Sequence, residues 1–404
     1  MSRRTPRRGS GQRRGDARRR EPRGRSVVGQ RYAATAGPIA HGGHVVVRVP
    51  VTSTDGTTAS RVVFVRHALP GERVVVEITE GTEGDRFWRG DAVEIVEASP
   101  DRVVPPCPYA GPGLCGGCDL QHVALPTQRE LKAAVVREQL SRLAGLELDV
   151  VVEPVPGDAD THRGLRWRTR QRYVALPQGR GMRKYRSHEV VPVEDCLIAR
   201  RDAREPAPGT VVERVEAGEA AHEFEVAADG FWQVHPGGPR VLVETVLDQL
   251  APRPGESVLD LYAGVGLFAA FLADRVGPAA RVVAVEGDRT ASALSARNVP
   301  SAEVTAGDVA TVLGASYDEA FDLVVLDPPR EGARRAVVEA VTARTPRAVA
   351  YVACDPAALA RDVAIFAEHG YRLAQLRAFD LFPMTHHVEC VALLRPDEAA
   401  TPDR

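Results

Sequence analysis

Six cysteines occur in the 404 residues, and one of them stands where a thiol can react. Val349 to Pro356 reads as a buried β-strand that ends in Cys354. Asp355 and Pro356 then suit the N-cap and first position of a helix, and Leu359–Phe366 carries a helical apolar stripe. Open α/β sheets place their chemistry at the carboxyl ends of parallel strands. A helix N-terminus beside a thiol favours the thiolate, the form that acts as a nucleophile. The opposing reading is a small cysteine packed in a core.

Three further cysteines, Cys107, Cys115 and Cys118, share one Gly/Pro-rich loop. Thiolates two residues apart on glycine-rich backbone can converge on one centre, and Cys196 is the available fourth ligand. The spacing suits structural zinc as well as an iron–sulfur cluster. A disulfide fits poorly in a reducing cytoplasm, the compartment expected of a chain with no apolar leader and no run approaching the roughly 20 residues of a membrane span.

The elements that must position Cys354 alternate strand and helix from about Gln233 onward, the pattern of a doubly wound sheet. Glu256–Tyr262 reads as a strand, and Gly264-Val-Gly266 as a tight turn into a helix over Leu267–Val276. Arg281–Glu286 is the next strand, with its terminal carboxylate twenty residues past Gly266. A carboxylate there can bind both ribose hydroxyls. No third glycine follows at the dinucleotide spacing, so a pyrophosphate is disfavoured and a mononucleoside such as S-adenosylmethionine is favoured. Phe321–Asp327, closed by Pro328-Pro329, marks an active-site rim, although Asp327 also suits a helix cap.

Ahead of this domain the chain has three other parts. Residues 1–28 form an arginine-rich tail whose first 25 residues hold eleven arginines against Asp16 and Glu21, a composition that cannot bury a core. Residues 29–100 carry β-branched runs at Val45–Val51, Arg61–Val65 and Arg73–Ile78 and a last strand over Phe87–Val96. That spacing suggests a small barrel of the OB type. Residues 101–230 hold the cysteine loop and a helix over Pro126–Leu146 with apolar positions at Leu131, Val135, Leu140 and Leu143. They also hold a basic stretch, Arg163–Tyr173, whose two-residue alternation predicts Arg166, Arg168, Arg170 and Arg172 on one strand face, interleaved with Trp167 and Tyr173. Arginine alternating with aromatic rings suits a surface that tracks phosphates and stacks bases.

From Gly37 to Leu394 the chain resembles the RNA uracil-5-methyltransferase family. Gly37-Pro-Ile-Ala-His-Gly-Gly43 and Leu69-Pro-Gly-Glu72 resemble the TRAM domain of RNA-modifying enzymes. The resemblance implies a Rossmann-like class I methyltransferase domain (231–404), a TRAM barrel, and a central domain whose Cys107, Cys115, Cys118 and Cys196 hold a [4Fe-4S] cluster. It implies S-adenosylmethionine contacts at Gln233 (in Phe231-Trp-Gln-Val234), Tyr262, Gly264, Gly266, Glu286, Asp308 and Asp327. Cys354 becomes the nucleophile and Glu389, in His387-Val-Glu389, the base. Leu267 and His235 replace the asparagines usual in relatives.

The substrate so implied is RNA, with 23S ribosomal RNA favoured over the transfer-RNA T-loop because the transfer-RNA branch generally lacks the barrel. A monomer with no obligate protein partner and no membrane contact is expected. A small-molecule methyltransferase with an accessory barrel, or a non-catalytic RNA-binding iron–sulfur protein, are the competing readings.

Overall fold

The computed structural model describes residues 24–52, 58–156 and 163–397. Of the arginine-rich tail expected over 1–28, residues up to 23 lie outside them, as does Asp55-Gly56, which the sequence suggests as a turn between strands. The expected tail ends too late, because Val27 is buried in the core of the barrel. Among the described residues no helix is long and apolar enough to cross a membrane.

In the N-terminal part, strands His44–Thr52, Thr58–Arg66, Arg73–Glu80 and Phe87–Glu97 lie where alternating β-branched residues predict them. Their inward faces (Val45, Val47, Val49, Val63, Val65, Val74, Val76 and Ile78) pack around the buried Trp88. Arg31–Thr35 pairs with Arg73–Glu80, and the chain continues into Ile39–Ala40, which pairs with His44–Thr52. One segment thus joins both ends of the sheet and closes it into a barrel. Glu72, buried, accepts from Arg102 Nε at 2.6 Å and from Leu69 N at 2.8 Å. It fastens the barrel to the chain that leaves it.

The C-terminal part is one eight-stranded sheet. In spatial order its strands are Glu303–Ala306, Val282–Glu286, Val258–Leu261, Leu323–Leu326, Ala348–Ala353, Glu389–Pro396, Tyr371–Phe379 and Val152–Glu153. The first five are mutually parallel; Glu389–Pro396 runs antiparallel to Ala348–Ala353 and to Tyr371–Phe379. The central strands are hydrophobic on both faces because helices cover both, as parallel sheets require.

The last strand in that order, Val152–Glu153, comes from the middle of the chain. The helix Leu125–Ala144 also lies in the core beneath the sheet through Ala133, Val136 and Leu140, and the hairpin Thr210–Ala217/Ala220–Ala227 packs Val215, Phe224 and Val226 against the other face. The central segment is therefore built onto the methyltransferase sheet.

Two sequence expectations fail here. Leu143 is exposed, and the buried face of its helix is completed instead by polar residues, among them Lys132. Lys132 Nζ donates to Asp380 Oδ1 at 2.5 Å and to the Phe382 carbonyl at 3.0 Å, both charges fully inside. A buried pair of this kind is costly to break, since either partner alone becomes an uncompensated buried charge.

The basic stretch is not one strand with a free face: only Arg168–Arg170 is extended, and Arg166 has a left-handed φ of 58°. Three of the four arginines donate to partners within the chain, Arg168 through Nε to the Arg170 carbonyl at 2.8 Å, while the exposed Arg172 lines the cavity of the cysteines. Arg166 pairs with Asp195 and donates to the Ala199 carbonyl, Arg170 reaches the Gly230 carbonyl, and Arg168 lines the cavity of the cysteines. Trp167 is buried against Ile198 and Met384, so it offers no stacking surface. Tyr173 is covered by Arg180, whose guanidinium lies 4.2 Å from the ring centroid. Like charges on one face repel, and here the chain relieves that repulsion by bending.

Candidate active site

Strand register assembles the site. Leu261 pairs with both Val285 and Leu326, so one step further Glu286, Tyr262 and Asp327 share a rung at the carboxyl edge. On the other side Ala353 pairs with Cys390, and continuing that register by one residue sets Glu389 opposite Cys354. Directly opposed residues in an antiparallel pair point to the same face. The nucleophile and base expected from sequence are therefore cross-strand neighbours, and Cys390, one residue on, is buried in the core behind them.

Behind the rung is the glycine turn. Tyr262, Gly264 and Gly266 have left-handed φ of 62°, 56° and 92°. Gly266 has no room for a side chain, since a Cβ would stand 2.8 Å from Val299 Cγ2 and 2.9 Å from Ser295 Oγ. Gly264 faces open space on its Cβ side. Its amide donates to Glu286 Oε2 at 2.8 Å, while Asp288 N donates to Oε1 at 2.6 Å. A carboxylate offers about four lone-pair sites, so each oxygen keeps one for a ligand hydroxyl. Asp308 caps the helix Val309–Ala315 through Oδ1 to Thr311 N at 2.9 Å and is itself exposed. Gln233 is buried on the loop before the helix Gly238–Leu250. An open glycine cradle rimmed by carboxylates fits a nucleoside with an amino-acid tail better than a diphosphate.

Of the two positions that depart from relatives, Leu267 is buried in the core and His235 stacks on Trp167 with ring centroids 6.0 Å apart.

The electrostatics run against one expectation. Burial, with the Glu389 and Asp327 carboxyls adding to it, pushes the Cys354 thiol up to about 12, despite the helix N-terminus and Arg330 beside it. Burial also raises Glu389 well above the usual carboxylate range, and Asp327 reinforces it. Asp327 itself is pushed up to about 7 by burial and by Glu286. Desolvation of three acids in one place outweighs a helix terminus, whose effect is worth about 0.3–1 kcal/mol. In the free protein the thiol is held as the neutral form.

Sequence reasoning missed the residues that brace this edge. His386 Nδ1 lies 2.6 Å from Asp119 Oδ2, and His386 N donates to the same oxygen at 3.2 Å. Arg330 Nη2 donates to His387 Nε2 at 3.1 Å; burial, with His386 and Arg330 nearby, pushes His387 down to about 3, so the ring accepts as neutral imidazole. His41, from the barrel, meets Asp355 Oδ2 at 3.0 Å. No periodicity or spacing relates these positions, which lie up to 314 residues apart.

The three loop cysteines and Cys196 line one cavity of about 210 Å³. Gly117 N donates to Cys115 Sγ at 3.4 Å and Gln121 Nε2 to Cys118 Sγ at 3.2 Å. Burial raises the Cys115, Cys118 and Cys196 thiols, and Arg168 favours the Cys196 thiolate. Among the described residues no three His, Cys, Asp or Glu side chains close tightly enough around one point for a single ion.

The sheet order, glycine turn and acidic strand ends define a class I methyltransferase. Residues 236–351 match the methyltransferase small domain family, 307–396 the tRNA (uracil-5-)-methyltransferase family and 25–93 the TRAM domain family. An uncharacterized RNA methyltransferase of Streptomyces avermitilis is 43% identical, covering 91% of this chain and 99% of its own length. A 23S rRNA (uracil(1939)-C(5))-methyltransferase of Acinetobacter baylyi is 29% identical over 83% of this chain and 89% of its own. The crystal structure of Pyrococcus abyssi tRNA (uracil-54, C5)-methyltransferase with S-adenosyl-L-homocysteine shares the fold, with a TM-score of 0.65 at 22% identity over 90% of this chain and all of that one. The chain belongs to the RNA uracil-5-methyltransferase family and carries a TRAM domain.

A thiol held near 12 has a measurable signature. Alkylation of Cys354 by iodoacetamide, followed by peptide mass spectrometry, should rise about tenfold per pH unit from about pH 7 to about pH 10. A plateau above neutral pH would mean that the free protein already holds a thiolate.

Proposed function

We propose that the protein methylates carbon 5 of a uridine in RNA from S-adenosylmethionine, with 23S ribosomal RNA as the substrate. The observation that carries this is the meeting of Cys354, Glu389 and Asp327 at one strand edge, one rung from the open glycine turn. The ribosomal assignment is supported by the TRAM domain together with relatives named for 23S rRNA. An enzyme of this kind works where RNA is, in the cytoplasm.

Carbon 5 of uracil is too weak a nucleophile to take a methyl group unaided. Addition of the Cys354 sulfur to carbon 6 pushes electron density through the ring onto carbon 5 and the carbonyl oxygen. The thiol must lose its proton on attack, and Asp327, pushed up only to about 7, is the acceptor facing it, which leaves Glu389 for the later step and returns the proton to the sulfur on elimination. S-adenosylmethionine, when bound, supplies an electrophilic methyl on a cationic sulfur. Gln233, Tyr262, Gly264, Gly266, Glu286, Asp308 and Asp327 are the residues to hold it. Positive charge beside these acids favours their ionised forms, so the neutral resting state suits a site that ionises only when loaded. Glu389 as carboxylate then takes the carbon-5 proton, and elimination returns the cysteine. The target base must leave its stack to reach Cys354. Phe231, 74% exposed two residues before Gln233, offers an aromatic face on which a base can stack.

Cys107, Cys115, Cys118 and Cys196 we assign to a [4Fe-4S] cluster. A cluster binds one thiolate per iron around a wide core, whereas zinc draws four sulfurs to about 2.3 Å from one point. Four cysteines spread around a cavity, with N–H groups on two of the sulfurs, suit the former. Protein prepared without oxygen should contain iron and acid-labile sulfide in equal amounts; zinc in their place would contradict the assignment.

Two substitutions test the chemistry. Cys354→Ala should abolish methyl transfer to 23S RNA. Glu389→Gln should leave protein and RNA covalently joined on a denaturing gel, because the ring can no longer lose its proton. Normal methylation by Cys354→Ala would end the thiol mechanism.

A further inference from the structure

The TRAM barrel touches the catalytic edge at two points through a single turn. His41 Nε2 lies 3.0 Å from Asp355 Oδ2, while Asp355 Oδ1 accepts from Ala357 N at 3.0 Å and from Ala358 N at 2.9 Å. Asp355 is thus the N-cap of the helix Pro356–Glu368 and directly follows Cys354. Two residues further along the same turn, Gly43 (φ 75°) packs so closely that a Cβ would stand 2.8 Å from His386 Cβ and 3.1 Å from Asp119 Cβ. His386 in turn is held by Asp119 and precedes Glu389 by three residues.

One end of the turn therefore rests on the element that carries the nucleophile and the other on the element that carries the base. Asp355 Oδ1 is occupied by the helix, and His41 fixes the other oxygen. Together they set the carboxylate plane, and with it the backbone from which the Cys354 side chain departs.

We propose that His41 is a positioning residue for methyl transfer, acting on Cys354 through Asp355, so that the TRAM barrel is a structural part of the catalytic centre as well as an RNA handle. The inference rests on the uracil-5 methylation reading above. The opposing assignment for an exposed histidine on such a barrel is a phosphate contact, which would alter RNA affinity and leave the chemical step alone.

The test uses the full chain with His41→Ala and His41→Gln. Glutamine keeps an N–H donor at the position of Nε2. His41→Ala should lower the single-turnover methylation rate at saturating RNA by about tenfold to a hundredfold, the range for loss of a group that orients a reacting one. RNA affinity by filter binding and the melting temperature should match the wild type, and His41→Gln should recover most of the rate. In a Glu389→Gln background, His41→Ala should slow adduct formation by the same factor. Weaker RNA binding with an unchanged saturated rate, a glutamine variant as slow as alanine, or no change in any readout would each overturn the proposal. A wild-type protein that methylates no RNA would instead count against the reading of function, and that control is run first.

Discussion

Three acidic groups share one desolvated corner of the sheet, and the rest of the molecule is arranged around that crowding. Cys354, Glu389 and Asp327 sit where Ala348–Ala353, Glu389–Pro396 and Leu323–Leu326 present their active-site ends side by side. Burying several negative charges together is prohibitive, so Cys354 and Glu389 keep their protons at rest, while Asp327, pushed up to about 7, is the group that can give one up. A cysteine that is neutral until substrate and donor arrive is protected from stray electrophiles and oxidants, which attack thiolates. The same crowding explains why Arg330 and the neutral His387 stand close by, since they offer positive charge and hydrogen bonds without adding another acid.

Such a corner holds its geometry only if its neighbours cannot shift. The chain meets that need with contacts between distant segments. Lys132 on the helix beneath the sheet fixes Asp380 at the end of Tyr371–Phe379, Asp119 next to the cysteine loop fixes His386, and His41 reaches Asp355. Gln128, buried on the same helix as Lys132, accepts from Met384 N through Oε1 at 2.8 Å and donates to the Val123 carbonyl at 2.9 Å. The loop 380–388 that delivers Glu389 is therefore clamped from the helix and from the cysteine loop, and the barrel turn packs against its His386.

The sheet was legible because its central strands are apolar runs ended by Gly, Asp or Glu, and because register converts strand ends into a shared rung. Cys354 and the glycine turn could be picked out on that ground, whereas Glu389, the first residue of its strand, came from the resemblance of His387-Val-Glu389 to the family's closing motif. What periodicity could not show was where the arginines of 163–173 would point. Alternation predicts a free face only when no internal acceptor competes, and here Asp195, the Gly230 carbonyl and the cysteine cavity do. Nor could it show Lys132 as a core residue, since burial of a lysine is decided by a partner 248 residues away. The thiol's proton affinity escaped the sequence for a related reason: a helix start is local and visible, whereas burial, with the Glu389 and Asp327 carboxyls alongside, is a property of the assembled edge.

The central claim is that the Cys354 sulfur bonds to carbon 6 of a uridine while carbon 5 takes the methyl group. RNA carrying fluorine at carbon 5 examines this directly, because the ring then has no proton there for Glu389 to remove. After incubation with this RNA and S-adenosylmethionine, the account predicts a peptide containing Cys354 bonded to a fluorinated, methylated pyrimidine by tandem mass spectrometry. Recovery of free RNA with an unmodified Cys354, or attachment through any other residue, would contradict it.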